Sequence, residues 1–96
     1  MSFYDFLWES VRRPELLAQY AEGLGIRLEL NGGDFYQRLR AVARAAAEVM
    51  RRELAALEGP VPQMEERCAD LRRFLMEAAM DLKLAGLSAE GLEPPC

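Results

Sequence analysis

The side chains of this chain that could do chemistry fall into three sets, and none forms a catalytic constellation. Histidine is absent, so neither a Ser-His nor a Cys-His nucleophile pair can be built. Di-iron sites of the Glu-x-x-His kind are excluded with them. The first set is two cysteines, Cys68 and Cys96, too few for a zinc site without His. They also fall short of a disulfide framework. Cys68 is expected as a small buried hydrophobe and Cys96 as an exposed terminal residue, in a reducing, cytoplasmic setting. The glycines match neither G-x-G-x-x-G nor a P-loop. The expectation is no catalytic residue, no cofactor, no metal and no enzyme.

The second set is acidic. Glu66, Asp70, Glu77 and Asp81 recur along one side of a helical segment. Together they could hold a hard cation, but a charged, solvated helix face explains them with fewer assumptions. The third set is basic. Arg40, Arg44 and Arg51 share a face, with Arg38 and Arg52 beside it. Such a stripe can contact phosphates or an acidic partner. Glu48 and Glu53 interrupt it, and residues 34–58 carry five Arg against four acids. The whole chain has a net charge of −4 and a pI near 4.9, which argues against general nucleic-acid binding.

The elements that must position these residues are helical. Ala, Leu, Glu and Arg dominate, Thr is absent, and β-branched residues are few (Val11, Ile26, Val42, Val49, Val61). Those are good helix formers, and a mixed fold would use more Val, Ile and Thr. Apolar residues make up 51% of 96 residues, enough for one domain with a core. Eleven of twelve basic residues are Arg, beside fourteen Ala, the mark of GC-rich codons and hence of a bacterial or phage origin. The opening residues carry no secretory signal, and no run approaches the ~20 apolar residues of a membrane span.

Met64, Cys68, Leu71, Leu75, Ala78, Leu82 and Ala85 repeat at steps of 4 and 3, the seam of a long helix. Phe35, Leu39, Val42, Ala46, Val49 or Met50, Leu54 and Leu57 give an earlier helix a buried face at helical spacing. Asp34 is placed to cap that helix, Gly59 to end it, and Pro60-Val61-Pro62 to turn the chain back. The two therefore form an antiparallel hairpin, each arm about 36 Å long at 1.5 Å per residue. Ala41, Ala43, Ala45, Ala46 and Ala47 either permit a close helix–helix approach or simply favour helix on a solvated face.

Upstream, Ser2 caps a short helix with Phe3, Phe6, Leu7, Trp8 and Val11 on its apolar side, and Arg13-Pro14 ends it. Leu16, Leu17, Tyr20, Ala21 and Leu24 line a second helix that Gly23 and Gly25 close. Ile26 to Leu30 alternates apolar and polar. With no second strand in view, it reads as an extended connector with three anchors, or as an edge that pairs with a copy. Asn31-Gly32-Gly33 follows as a turn. Gly86, Gly91 and Pro94-Pro95 mark a fraying tail.

The predicted fold is thus all-α: a small bundle with a hairpin over about 34–58 and 62–86, two short N-terminal helices and an extended connector. It forms a single domain, with 1–33 as short helices and connector, 34–87 as hairpin and 88–96 as flexible tail. On a helical wheel started at Met64, the seam lies within about 60° of zero, whereas Met76, Met80 and Leu84 fall near 120°, 160° and 200°. A helix apolar on two faces is sandwiched. Either the aromatic N-terminal helix covers Met76, Met80 and Leu84, or a partner or second copy does. The function expected is non-catalytic protein–protein interaction, as an adaptor, assembly factor or inhibitor of a larger bacterial or phage complex. Its contacts would be Met76, Met80, Leu84 and Leu87, with Phe6 and Trp8 as anchors and Arg40, Arg44 and Arg51 orienting an acidic partner. A homodimer fits the same pattern; membranes do not. The alternative is a helical nucleic-acid-associated regulator using the Arg stripe.

Overall fold

The computed structural model describes residues 1–30, 32–59 and 61–96. Four helices follow in chain order: α1 (Phe3–Arg12), α2 (Glu15–Glu22), α3 (Phe35–Ala55) and α4 (Pro62–Leu84). Each boundary has a local cause. Ser2 Oγ accepts from the Asp5 amide at 3.0 Å, and the Asp5 carboxylate lies in the first turn, against the positive end of the helix dipole. Arg13 leaves the helical region ahead of Pro14, as a residue preceding proline does. At the end of α2, Gly25 turns with φ +78°, and the Ile26 amide bonds back to the Ala21 carbonyl at 2.9 Å. That bend drives Ile26 into the core.

Residues 26–30 form the connector and no strand. Ile26 is buried, Leu28 and Leu30 are half-buried, and Arg27 and Glu29 face water. The alternation is that of an extended segment laid along the bundle, with Ile26 seated against Ala21 and Val49. The turn expected at Asn31 lies outside the described residues, as does Pro60 in the hairpin turn. Asp34 and Gln37 then form a full capping box: each backbone N–H donates to the other's side chain at 2.9 Å.

α3, like α1, packs against all three other helices. Ala43, Ala45, Ala46 and Ala47 are buried and Ala41 is half-buried, so the alanines serve close approach, not a solvated face. With Leu39, Val42, Val49 and Met50 they bury slightly more than half of the helix circumference. Two expected face residues depart from the pattern. Phe35 is at the first position of α3, beyond the reach of the neighbouring helices, and is exposed edge-on to Tyr36. Leu57 is exposed because α3 stops at Ala55.

α4 runs back along α3 as the second arm of the hairpin. Met64, Cys68, Leu71, Leu75, Ala78 and Leu82 are all buried, joined by Phe74. Ala85 drops off the seam because it is the C-cap. Gly86, at φ +76°, closes a Schellman motif in which the Leu87 amide bonds Leu82 O at 2.8 Å and the Gly86 amide bonds Lys83 O at 3.0 Å.

The segment after that motif corrects two expectations. Residues 88–96 do not fray; they run back over α3 and α4. Leu92 enters the core, and Cys96 is disulfide-bonded to Cys68, with Cα atoms 6.1 Å apart. Twelve extended residues reach up to about 40 Å, more than the roughly 24 Å of α4 between Cys68 and Leu84. The proline-rich composition concealed that reach, and Leu92 is the residue that anchors the return. Cys68 is buried as expected, but as half of a bond and not as a free thiol.

Candidate partner-binding surface

The aromatic residues of α1 are committed to the fold along one flank of α4. Trp8 meets Phe74 edge-on, with ring centroids 5.0 Å apart, and its Nε1–H donates to Glu77 Oε1 at 3.3 Å. The Tyr4 hydroxyl donates to the same carboxylate oxygen, and the Tyr4 amide reaches Asp70 Oδ2 at 3.4 Å. The Arg73 guanidinium lies 4.0 Å from the Tyr4 ring centroid. The hydrogen bond to Glu77 raises the Tyr4 pKa, and removal from water adds to it. Phe6 packs on Phe3 and Tyr20 at 6.1 and 5.8 Å. Phe6 and Trp8, expected as partner anchors, are therefore half-buried and already paired within the chain.

With α1 drawn to the Asp70–Phe74–Glu77 flank, the outer face of α4 stays uncovered. Met76 is 60% exposed, Met80 57% and Leu84 84%, and Leu87 beyond the cap is 40% exposed. The reading in which the N-terminal helix covers Met76, Met80 and Leu84 does not hold. Only Met80 borders α1, in an open groove of about 440 Å³ that it shares with Tyr4, Trp8, Glu77 and Asp81. Protein-family models, curated proteins and solved structures give no match to this chain. The stripe has to be read from its own chemistry: three flexible or branched apolar side chains at i, i+4, i+8, one above the other.

The arginines of α3 are occupied internally. Arg38 donates to Val11 O at 3.2 Å and Gly33 O at 2.9 Å. Arg40 donates to Ser88 O at 3.2 Å and Arg44 to Glu90 O at 3.1 Å. Arg51 and Arg52 both hold Glu48, at 2.6 and 3.2 Å; the hydrogen bond from Arg52, then that from Arg51, lowers the Glu48 pKa. Arg40, Arg44 and Arg51 do not form one free stripe: two of them hold the C-terminal segment and the third is in an ion pair. Of the acidic row, Asp70 and Glu77 accept from α1. Among the described residues no three Cys, Asp or Glu side chains gather to hold a metal ion.

Sequence reasoning missed one polar cluster. Arg67 forks onto Glu53 through Nη1 at 3.0 Å and Nη2 at 2.9 Å. Nη2 also donates to the Tyr20 hydroxyl, which in turn donates to Glu53 Oε2 at 3.0 Å. Burial raises the Tyr20 pKa; the Arg67 charge opposes the rise, and the bond to Glu53 adds to it. A signal was present. Positions 53 and 67 lie nearly equal distances from the hairpin turn, so an antiparallel hairpin brings their opposite charges face to face.

Proposed function

We propose that this chain is a non-catalytic protein–protein interaction module, an adaptor, assembly factor or inhibitor of a larger bacterial or phage complex. It docks an apolar helix of its partner along Met76, Met80, Leu84 and Leu87. The observation that carries this reading is the exposure of that stripe on a helix whose other face is fully buried. Isolated exposed apolar residues are ordinary, but three in register over two turns mark a contact surface. Methionine suits a surface that must adapt to the knobs of another helix. Arg72 and Lys83 flank the stripe on one side and Asp81 on the other. A partner helix with an acidic and a basic edge is thereby oriented as well as held.

The setting we assign is the cytoplasm, where a cysteine pair responds to oxidants and does not stay permanently closed. The test is native mass spectrometry and sedimentation of the full chain, alone and with proteins co-purified from its host, for wild type, Met80→Glu and Leu84→Glu. The expected result is loss of the dimer or of the partner in both variants, with unchanged helical content by circular dichroism. Equal assembly in wild type and both variants would remove the basis for this function.

A further inference from the structure

We propose that residues 88–96 are a redox-latched strap: the Cys68–Cys96 bond holds strap carbonyls on Arg40 and Arg44, and reduction frees those two guanidinium groups for an acidic, extended segment of a partner protein. This surface lies on α3 and is independent of the Met76–Leu84 stripe.

The strap is held by side chains and by the disulfide at its end. Among the described residues no backbone–backbone hydrogen bond ties 88–96 to the helices; the last such bond is that of Leu87 to Leu82. The remaining contacts include two arginine-to-carbonyl bonds, the Leu92 side chain in the core, and the half-buried Ala89 and Pro95. The disulfide is the one covalent tether, and it is open to attack. Both cysteines line a groove of about 740 Å³ with Leu54, Val61, Met64 and Arg72, and the Cys96 residue is exposed.

What the strap occupies is a half-used site: with the strap in place Arg44 is still exposed and Arg40 is half-buried. Arg40 and Arg44 are one turn apart on α3, and each donates to alternate carbonyls of the strap, at Ser88 and Glu90. That is the spacing at which an extended chain presents acceptors on one side. Gly91 lets the strap come close, since a Cβ there would lie 3.3 Å from Arg44 Nε, and its φ of +83° suits glycine. The Arg40 Nε is buried and meets no acceptor among the described residues. The strap also carries Glu90 and Glu93. An acidic segment from elsewhere, with carboxylates in place of neutral carbonyls, makes stronger charge-assisted bonds to the same two guanidinium groups.

The chemical step is thiol–disulfide exchange. A dithiol reductant gives up two electrons and two protons and becomes a disulfide. The Sγ–Sγ bond breaks, and each of Cys68 and Cys96 takes one electron and one proton to become a thiol. Re-closure transfers the electrons and protons to an incoming disulfide oxidant.

The experiment compares the full chain oxidised, the full chain reduced with dithiothreitol, and Cys96→Ser. NMR of the Leu92 methyl groups follows the strap, and poly-L-glutamate at low salt is the binding probe. Helical content is checked by circular dichroism in each form. Reduction and Cys96→Ser should each move the Leu92 methyl signals from core to random-coil positions and tighten poly-L-glutamate binding at least tenfold, and Arg44→Ala in the reduced chain should cancel that gain. Four outcomes overturn the proposal. They are Leu92 methyl signals unchanged by reduction, equal binding in all forms, loss of helix on reduction, or a gain in binding to duplex DNA but not to poly-L-glutamate.

Discussion

Arg67 satisfies three groups at once. Its fork covers both oxygens of Glu53, an Nη2 hydrogen goes to Tyr20, and its plane lies over the Phe3 and Tyr20 rings at 4.7 and 5.3 Å. The side chains of Arg67 and Glu53 are only 24% and 15% exposed, so removing one partner leaves a charge with little water to replace it. Glu53→Gln should cost roughly 2–3 kcal/mol, below the 3–5 of a fully buried pair, read as a fall in urea midpoint. A change under ~0.5 kcal/mol, the scale of an ordinary surface pair, would show the cluster to be solvated. The same site sets a pH dependence. Burial chiefly raises the Tyr20 pKa above 10.0, with the bond to Glu53 adding to it against the opposing Arg67 charge. The folded state therefore keeps a proton that the unfolded state gives up. Its contribution is whole below the ordinary phenol pKa and falls as pH rises through the folded value. Urea midpoints should decline from pH 9.5 to 11.5, and a Tyr20→Phe variant should decline less steeply.

The two faces of α4 respond differently to substitution. Leu71 and Phe74 are fully buried, and truncating either to Ala should cost about 2–5 kcal/mol through lost contacts and a cavity. Met76→Ala and Leu84→Ala should change stability by less than about 0.5 kcal/mol, since both side chains already face water. In α3 the sign of the size change reverses. Ala46 is fully enclosed between neighbouring helices, and Ala46→Leu should cost roughly 1–3 kcal/mol by overpacking. Thermal melts of the five variants and wild type would order these effects; a Met76→Ala loss as large as that of Phe74→Ala would mean the stripe is core. The α4 seam was legible because a heptad on one helix is a local property of sequence. The alanine role was not, because five alanines look alike whether three neighbours or water surround them. The placement of α1 was also hidden. The sequence offers five aromatics near the N-terminus and two apolar sides of α4 to meet them. Hydrogen bonds from Tyr4 and Trp8 to Glu77 select the flank that leaves Met76 and Leu84 outside. Those bonds depend on one acid at one register, which periodicity does not report.

For the molecule as a whole, the bond from Cys68 to Cys96 joins positions 28 residues apart and ties the C-terminus back to the start of α4. Closing a loop of that length in the unfolded chain removes entropy worth about 3.5 kcal/mol at 25 °C in the loop-closure account. A domain of this size holds roughly 5–14 kcal/mol in total, so the reduced chain should remain folded with a melting temperature lower by some tens of degrees at most. Size alone does not separate two origins of that loss. If the bond acts only on the unfolded chain, reduction raises the denaturant m-value through a more expanded unfolded state, and Leu92 stays in the core of the folded protein. If the bond also holds the strap down, Leu92 leaves the core on reduction and the folded state itself becomes more open. In that case the m-value rises less, because part of the surface is exposed before unfolding begins. A urea titration of oxidised and reduced protein, with Trp8 fluorescence following the bundle and the NMR methyl signals of Leu92 following the strap, distinguishes them. The expected result is a Leu92 already outside the core of the reduced chain before urea is added, with a Trp8 transition alone on titration. A Leu92 that stays in the core after reduction and leaves it only together with the Trp8 transition would make the disulfide a plain staple and leave Arg40 and Arg44 as structural ligands of the strap.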